Sequence, residues 1–183
     1  MRKLHIMVDC DVVLNNLLEN WIHFINRKHG SNIDANDVRT WDLGCVCPEL
    51  TEEEVYQPFS EDEFWKTLKT VPYSREYLEK MFDDGHEISI VTAASVYETI
   101  PAKIDWLLAN YPFLYWEDVI ITHKKQRLIG DVLIDDGPHN LVNGNYLKLL
   151  FDCTNNRDYD AEANGMIRVY NLSEAYDVIK NLR

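Results

Sequence analysis

No stretch of this chain approaches the roughly 18 consecutive apolar residues needed to span a bilayer, so no membrane partner is expected. Basic residues are scarce: 18 Lys and Arg stand against 31 Asp and Glu, for a formal net charge of -13. That balance argues against sequence-blind binding to a nucleic acid polymer, whose backbone carries the same sign. It leaves room for a small phosphorylated ligand, because one pocket can be locally positive or hold a cation. Cysteine is sparse as well. Cys10, Cys45, Cys47 and Cys153 form no recognisable disulfide framework. Cys45 and Cys47 are separated by a single residue, a poor spacing for structural zinc. Free thiols are the expectation, which fits a cytoplasmic setting. The N-terminus lacks the apolar stretch and small-residue cleavage site of a secretory signal. There is no internal repeat and no low-complexity tract.

What is present is a chain of 183 residues, 46% hydrophobic and 27% charged, suited to one globular domain with a modest insertion. Leu4 to Val8 is a short apolar run that ends in two acids, and reads as a buried strand. From Leu14 to His29 the period changes: Leu14, Leu17, Leu18, Trp21, Ile22 and Ile25 recur at helical spacing, with Gly30 as the stop. Residues 31–70 are acidic, aromatic and rich in helix starts. Thr51 and Glu54 have capping-box spacing, and Ser60 and Glu63 repeat it.

Beyond Pro72 the pattern becomes regular. A helix over Tyr77 to Asp84 precedes strand "EISIVT", a helix through "AKIDWLLANY", then strands "DVIIT", "DVLID", "LKLLFD" and "MIRVY". A last helix follows, with Ser173 as its expected N-cap. Such alternation predicts a largely parallel α/β sheet. The expected division is a core of residues 1–14 and 72–183 and a helical cap of residues 15–71. Ligands bind at the carboxyl ends of strands in open parallel sheets, so an insertion leaving the first strand there would cover the site.

Four strand ends carry the polar residues that phosphoryl chemistry needs. The first supplies Asp9 and Asp11, the second Thr92 with Ser95 nearby, the third Lys124 and Lys125, and the fourth Asp135 and Asp136. Taken singly, each has an ordinary structural explanation, such as a solvated strand end or an Asp-Gly-Pro turn. Together and in this order they point to one site. Two carboxylates about 4 Å apart repel by roughly 4 kcal/mol at an effective dielectric near 20. Gathering several therefore demands protons or a cation. Oxygen-only ligands favour a hard ion, and Mg²⁺ is the usual choice where phosphate completes the shell. Asp9, nearer the fixed strand end, is the candidate nucleophile, since a carboxylate needs no base to activate it. Asp11 can carry the proton to and from the reacting oxygens. Thr92 and Lys125 can hold the phosphoryl oxygens.

"DCDVV", Thr92 after an apolar strand, a lysine and "GDVLIDD" resemble the haloacid dehalogenase superfamily of aspartate-nucleophile phosphatases. Within it, "THKKQRLIGDVLIDD" and "LLFDCTNNRD", with a helical insertion after the first motif, look most like the 5'(3')-deoxyribonucleotidases. The second of these stretches matches the family's asparagine–arginine pair. The resemblance implies a three-layer Rossmann-like parallel sheet flanked by helices, with a small helical cap. It implies a Mg²⁺-dependent hydrolase of nucleoside monophosphates, working through an aspartyl phosphate. Asp9 matches the nucleophile and Asp11 the general acid/base. Metal is expected on Asp9, the backbone carbonyl of Asp11 and Asp136, with Asp135 behind it or in its place. Thr92 and Lys125 match the phosphate-binding pair. Trp41 and Phe59 or Phe64 are the counterparts of aromatics that enclose the nucleobase. The chain could act alone or as a homodimer.

The chain departs from the family at Val12, where a glycine is usual, at Ala93, where a serine is usual, and near Leu17, where an aromatic is usual. Two other functions compete: a phosphatase of the same chemistry for another small phosphate ester, and a phospho-receiver module. The receiver reading fits poorly, because its acceptor and lysine come in a different order. The six histidines form no set and read as structural or surface residues. The aromatics Trp41, Tyr56, Phe59, Phe64 and Trp65 serve equally well as the small cap's own core.

Overall fold

The computed structural model describes residues 2–182. Six strands form one sheet: β1 His5–Val8, β2 Glu87–Thr92, β3 Val119–Ile121, β4 Val132–Asp135, β5 Leu147–Phe151 and β6 Ile167–Val169. Their order is β3-β2-β1-β4-β5-β6, and all neighbours run parallel. Every strand expected from the apolar runs is therefore present. In β1 and β4 the run is continuous rather than alternating because both faces of the central sheet are covered, whereas the edge strands β3 and β6 are only partly buried. Ile6, Val8, Ile90, Ile134 and Leu149 point into the larger core, and Met7, Val91, Leu133 and Leu150 into the smaller one behind it. This is the three-layer Rossmann-like architecture.

The helices are α1 Leu17–His29, α2 Leu43–Val46, α3 Glu52–Tyr56, α4 Asp62–Thr67, α5 Ser74–Asp83, α6 Ile100–Asn110, α7 Pro138–Leu141 and α8 Leu172–Lys180. None of the helices described is long and apolar enough to cross a membrane. α1 ends as its sequence predicts, with Gly30 at φ 68° in the left-handed region that glycine enters without strain. The Thr51–Glu54 capping box also forms. Other termini differ. α1 begins at Leu17 rather than Leu14, because residues 11–16 make a tight turn in which Val12 has φ 68°. α5 begins at Ser74 rather than Tyr77. Ser60 does not cap α4: it closes the 3₁₀ turn Gln57–Ser60, and Glu61 occupies the N-cap without a side-chain bond. α8 is capped by Asn171, not Ser173; the Asn171 side chain accepts the Glu174 N–H at 2.9 Å.

The segment carrying α1 to α4 leaves and rejoins the sheet through two adjacent strands of chain. The Val71 N–H donates to the Leu14 carbonyl and the Asn16 N–H to the Lys69 carbonyl, each at 3.0 Å. A single paired stem thus connects this segment to the sheet. Strand order reverses between β1 and β4, since β2 and β3 lie to one side of β1 and β4 to β6 to the other. Chain leaving β1 and chain leaving β4 diverge there, opening a crevice at their carboxyl ends.

Candidate active site

The crevice is lined by Asp9, Asp11, Lys125 and Asp136 of the residues singled out at the strand ends, with Thr92 and Asp135 buried behind its surface. Asp9 follows β1, and its N–H donates to the Ile134 carbonyl of β4 at 2.9 Å, which fixes the backbone across the switch point. Its Oδ1 accepts the Cys10 N–H at 2.7 Å and lies 2.8 Å from Lys125 Nζ. Lys125 also reaches Asp135 Oδ2 at 2.6 Å and is 2% exposed. Its neighbour Lys124 is exposed and takes no part. Thr92 ends β2 and is fully buried.

The loop from Asp11 to Asn15 is held from within. Asn15, wholly buried, donates to Asp11 Oδ1 at 3.1 Å, and its oxygen accepts the N–H groups of Val12 and Leu17. These bonds keep Val12 at positive φ, a conformation a β-branched residue rarely adopts. A glycine would enter it without strain.

Asp9, Asp135 and Asp136 offer oxygens that all lie within 4.8 Å of one another. Asp135 is already satisfied by Lys125, by the Gly137 N–H at 2.8 Å and by the Asn140 amide at 2.9 Å. Asp136 accepts the Trp41 indole N–H at 3.0 Å on Oδ2, and no described residue donates to its Oδ1. Asp136 is thus freer than Asp135 to meet a cation. With all four carboxylates ionised (Asp9, Asp11, Asp135, Asp136), the two buried lysines (Lys103, Lys125) would leave two negative charges, the amount one divalent ion balances. The donors are all oxygen, which suits Mg²⁺. The electrostatics agree. Burial pushes the Asp9 carboxyl well above its ordinary range; Lys125 pulls it back, and the neighbouring aspartates push it further up. Burial, then Asp135, raises Asp136 to about 7. Such groups favour a proton or a cation beside them.

The residues around Asp136 are themselves anchored. The Asn156 amide donates to the Asp136 carbonyl at 2.8 Å and to the Phe151 carbonyl at 2.7 Å. Its oxygen accepts from Arg168 of β6 at 2.7 Å. The arginine adjacent in sequence, Arg157, is exposed instead, with Asp152 at 3.5 Å.

A cavity of about 360 Å³ opens over these groups. The sheet side contributes Asp9, Asp11, Lys125 and Asp136, and the helical segment contributes Leu17, Trp41, Leu43, Tyr56, Phe59 and Trp65. Trp41 and Phe59 therefore line the space, as does Leu17 where an aromatic is usual. Phe64 does not: it is fully buried, edge-on to Phe24, Phe59 and Trp65. Phe64 and Trp65 are adjacent on α4, and the docking of α4 against α1 turns the first into the core and leaves the second at the cavity. Two bonds join the helical segment to the sheet side across the cavity, from Trp41 to Asp136 and from the Asn155 amide to the Thr40 carbonyl at 2.6 Å. His123 and His139 also line it, with His139 edge-on to Trp41 at 5.3 Å.

One residue at this site went unnoticed in the sequence. Lys103, in the first turn of α6 and 4% exposed, places Nζ 2.5 Å from Asp11 Oδ2. A lysine on an amphipathic helix is ordinarily solvated, and its sequence neighbours carry no signal to the contrary.

A carboxylate braced by a buried lysine, with two more carboxylates at the reversal point of a six-stranded parallel sheet, is the arrangement of haloacid dehalogenase-type hydrolases. Solved structures agree on the fold. A haloacid dehalogenase-like hydrolase from Streptococcus pneumoniae superposes with a TM-score of 0.69 at 13% identity, covering 97% of this chain and 98% of that one. A HAD hydrolase from Bacillus subtilis bound to magnesium gives 0.60 at 11% identity, covering 100% of both. Sequence relatives are nearer. The 5'(3')-deoxyribonucleotidase of Bacillus subtilis is 31% identical over 175 residues, 95% of this chain and 96% of that protein. That of Clostridium acetobutylicum is 27% identical over 183 residues, 100% of this chain and 98% of that protein. The family of the 5' nucleotidase, deoxy (pyrimidine), cytosolic type C protein matches residues 2–183, and the chain belongs to that family. It is a phosphatase, which disposes of the phospho-receiver alternative.

Proposed function

We propose that this phosphatase hydrolyses deoxynucleoside monophosphates, depends on Mg²⁺ and works through a phosphorylated Asp9. The observation that carries the reading is the joining, at one switch point, of a lysine-braced Asp9, a less encumbered Asp136 and an aromatic-walled cavity. In the first step an Asp9 oxygen attacks phosphorus as the bond to the ester oxygen breaks, and Asp11 gives that oxygen its proton. In the second, water attacks the same phosphorus, its proton passes to Asp11, and the bond between phosphorus and Asp9 breaks to free phosphate. Lys125 and Thr92 hold the phosphoryl oxygens.

Asp9, the Asp11 carbonyl and Asp136 would hold Mg²⁺, which supplies charge neutralisation between the aspartate and the phosphoryl group. Asp135 orients Lys125 from behind. Residues 15–71 act as the cap over a core of residues 1–14 and 72–183, with Trp41 and Phe59 against the base. The cytoplasm is the proposed compartment, in keeping with four cysteines that form no disulfide.

The test is release of inorganic phosphate from a panel of deoxynucleoside, ribonucleoside and sugar monophosphates, with Mg²⁺ and then with chelator. Deoxynucleotides should turn over fastest, and chelation should abolish the signal. Faster turnover of a sugar phosphate than of any nucleotide would assign the same chemistry to a different ester.

A further inference from the structure

Lys103 is one of two buried lysines among the described residues, and the proposed reaction gives it no part. Its position runs against local preference: a cation in the first turn of a helix faces the positive end of the dipole. Something must compensate, and the contacts show what does. The ammonium has three N–H donors and three acceptors, at Asp11 Oδ2 (2.5 Å), the Ala93 carbonyl (2.9 Å) and Thr92 Oγ1 (3.2 Å). Two of the three belong to the end of β2, where the backbone is fixed by sheet pairing. The ammonium is therefore located by the sheet and by α6, and its third bond locates Asp11. Asn15 fixes the other Asp11 oxygen.

We propose that Lys103 is a positioning residue for the proton carrier, tying the Asp11 carboxylate to the phosphate-binding end of β2 so that one oxygen meets the ester and the attacking water in a set geometry. The inference rests on the role given to Asp11 above. It makes Lys103 act through Asp11, with Thr92 as the common anchor, rather than on phosphate. A charge-assisted pair of this kind holds orientation better than Asn15 alone, whose neutral amide is a weaker donor. Lys103 itself neither gains nor loses a proton in either step. The proton shuttles between Asp11, the departing ester oxygen and water.

The experiment compares Lys103→Met on two esters: deoxyuridine 5'-monophosphate, whose alkoxide must be protonated as it leaves, and p-nitrophenyl phosphate, whose phenolate leaves without a proton. The expected result is a loss in kcat/KM of about 30-fold or more on the nucleotide and of no more than about fivefold on the aryl ester. In an Asp11→Asn background the same substitution should cause little further loss, because the two residues act as a unit. Equal losses on both esters, with weakened inhibition by inorganic phosphate, would make Lys103 a phosphate ligand and overturn the proposal. Additive losses in the double variant would overturn it as well. Should Lys103→Met fail to fold by circular dichroism, Lys103→Gln keeps donors for Thr92 and Ala93 and allows the same comparison. A wild-type enzyme inactive on both esters would refute the nucleotidase reading itself, a result distinct from either of these.

Discussion

Replacing Asp9 by asparagine separates charge from shape at the centre of the site. The amide oxygen can still accept the Cys10 N–H that Asp9 accepts at 2.7 Å, and still faces Lys125, now 2.8 Å away. What disappears is a negative charge whose oxygen lies within 4.8 Å of those of Asp135 and Asp136. At an effective dielectric near 20, each of those two repulsions is at least about 3.5 kcal/mol and the attraction to Lys125 is about 6 kcal/mol. The repulsions thus at least offset the attraction, and the desolvation of a buried carboxylate tips the balance further against the charge. The upward displacement of the Asp9 pKa, caused first by burial, has the same sign.

Asp9→Asn should therefore melt within about 3 °C of wild type, or above it, in the presence of chelator. Millimolar Mg²⁺ should raise the melting temperature of wild type by mass action, and that of the variant less, since one anionic ligand is gone. Phosphate release should fall by at least about 10³-fold, because an amide is a poor nucleophile. Scanning fluorimetry with and without Mg²⁺ and a phosphate assay read all three. Melting about 10 °C lower in chelator would show that the Asp9 charge is structural, and activity within tenfold of wild type would remove it as nucleophile.

Trp41→Phe deletes the indole N–H that orients Asp136 Oδ2. Mg²⁺ affinity by titration calorimetry should weaken by about tenfold, and an unchanged affinity would deny Trp41 a hold on the ligand. Asn156→Ala would leave the Asp136 and Phe151 carbonyls and one Arg168 donor without their partner. Denaturant unfolding should report a loss of about 2–4 kcal/mol, and a loss below about 1 kcal/mol would count against the network. Asp136 stands at about 7, raised mainly by burial. It is protonated below that value, and Mg²⁺ beside it must displace the proton. Titration with Mg²⁺ at about pH 6 should therefore release protons, and the release should fade above about pH 8 as apparent affinity rises. Release independent of pH would place the cation elsewhere.

The sheet was readable because its central strands β1, β2 and β4 are buried on both faces. Ile6 to Val8 and Val132 to Ile134 are unbroken apolar runs, and "EISIVT" is buried from Ile88 to Thr92 although Ser89 interrupts it; such short apolar stretches mark buried parallel strands. The polar residues that end those runs were readable for a related reason. Parallel strands put all their carboxyl ends on one edge, so the order of motifs along the chain places Asp9, Thr92 and Asp136 together. The Thr51–Glu54 cap and the Gly30 stop were legible because each is an interaction within one turn of the backbone.

What the sequence by itself determined, then, was the set of strands, the edge on which their polar ends meet and the membership of Asp9, Asp11, Thr92, Lys125 and Asp136 in one cluster. Only the tertiary structure decided which side chains are buried, and against what. It separated Asp136 from Asp135 by the donors each already has, turned Phe64 inward beside a cavity-lining Trp65, and brought Lys103 of α6 onto Asp11. The reason is range. Period and capping are settled by residues within a turn or two, whereas the fate of a lysine or an aromatic on a helix depends on the distant element that the helix packs against.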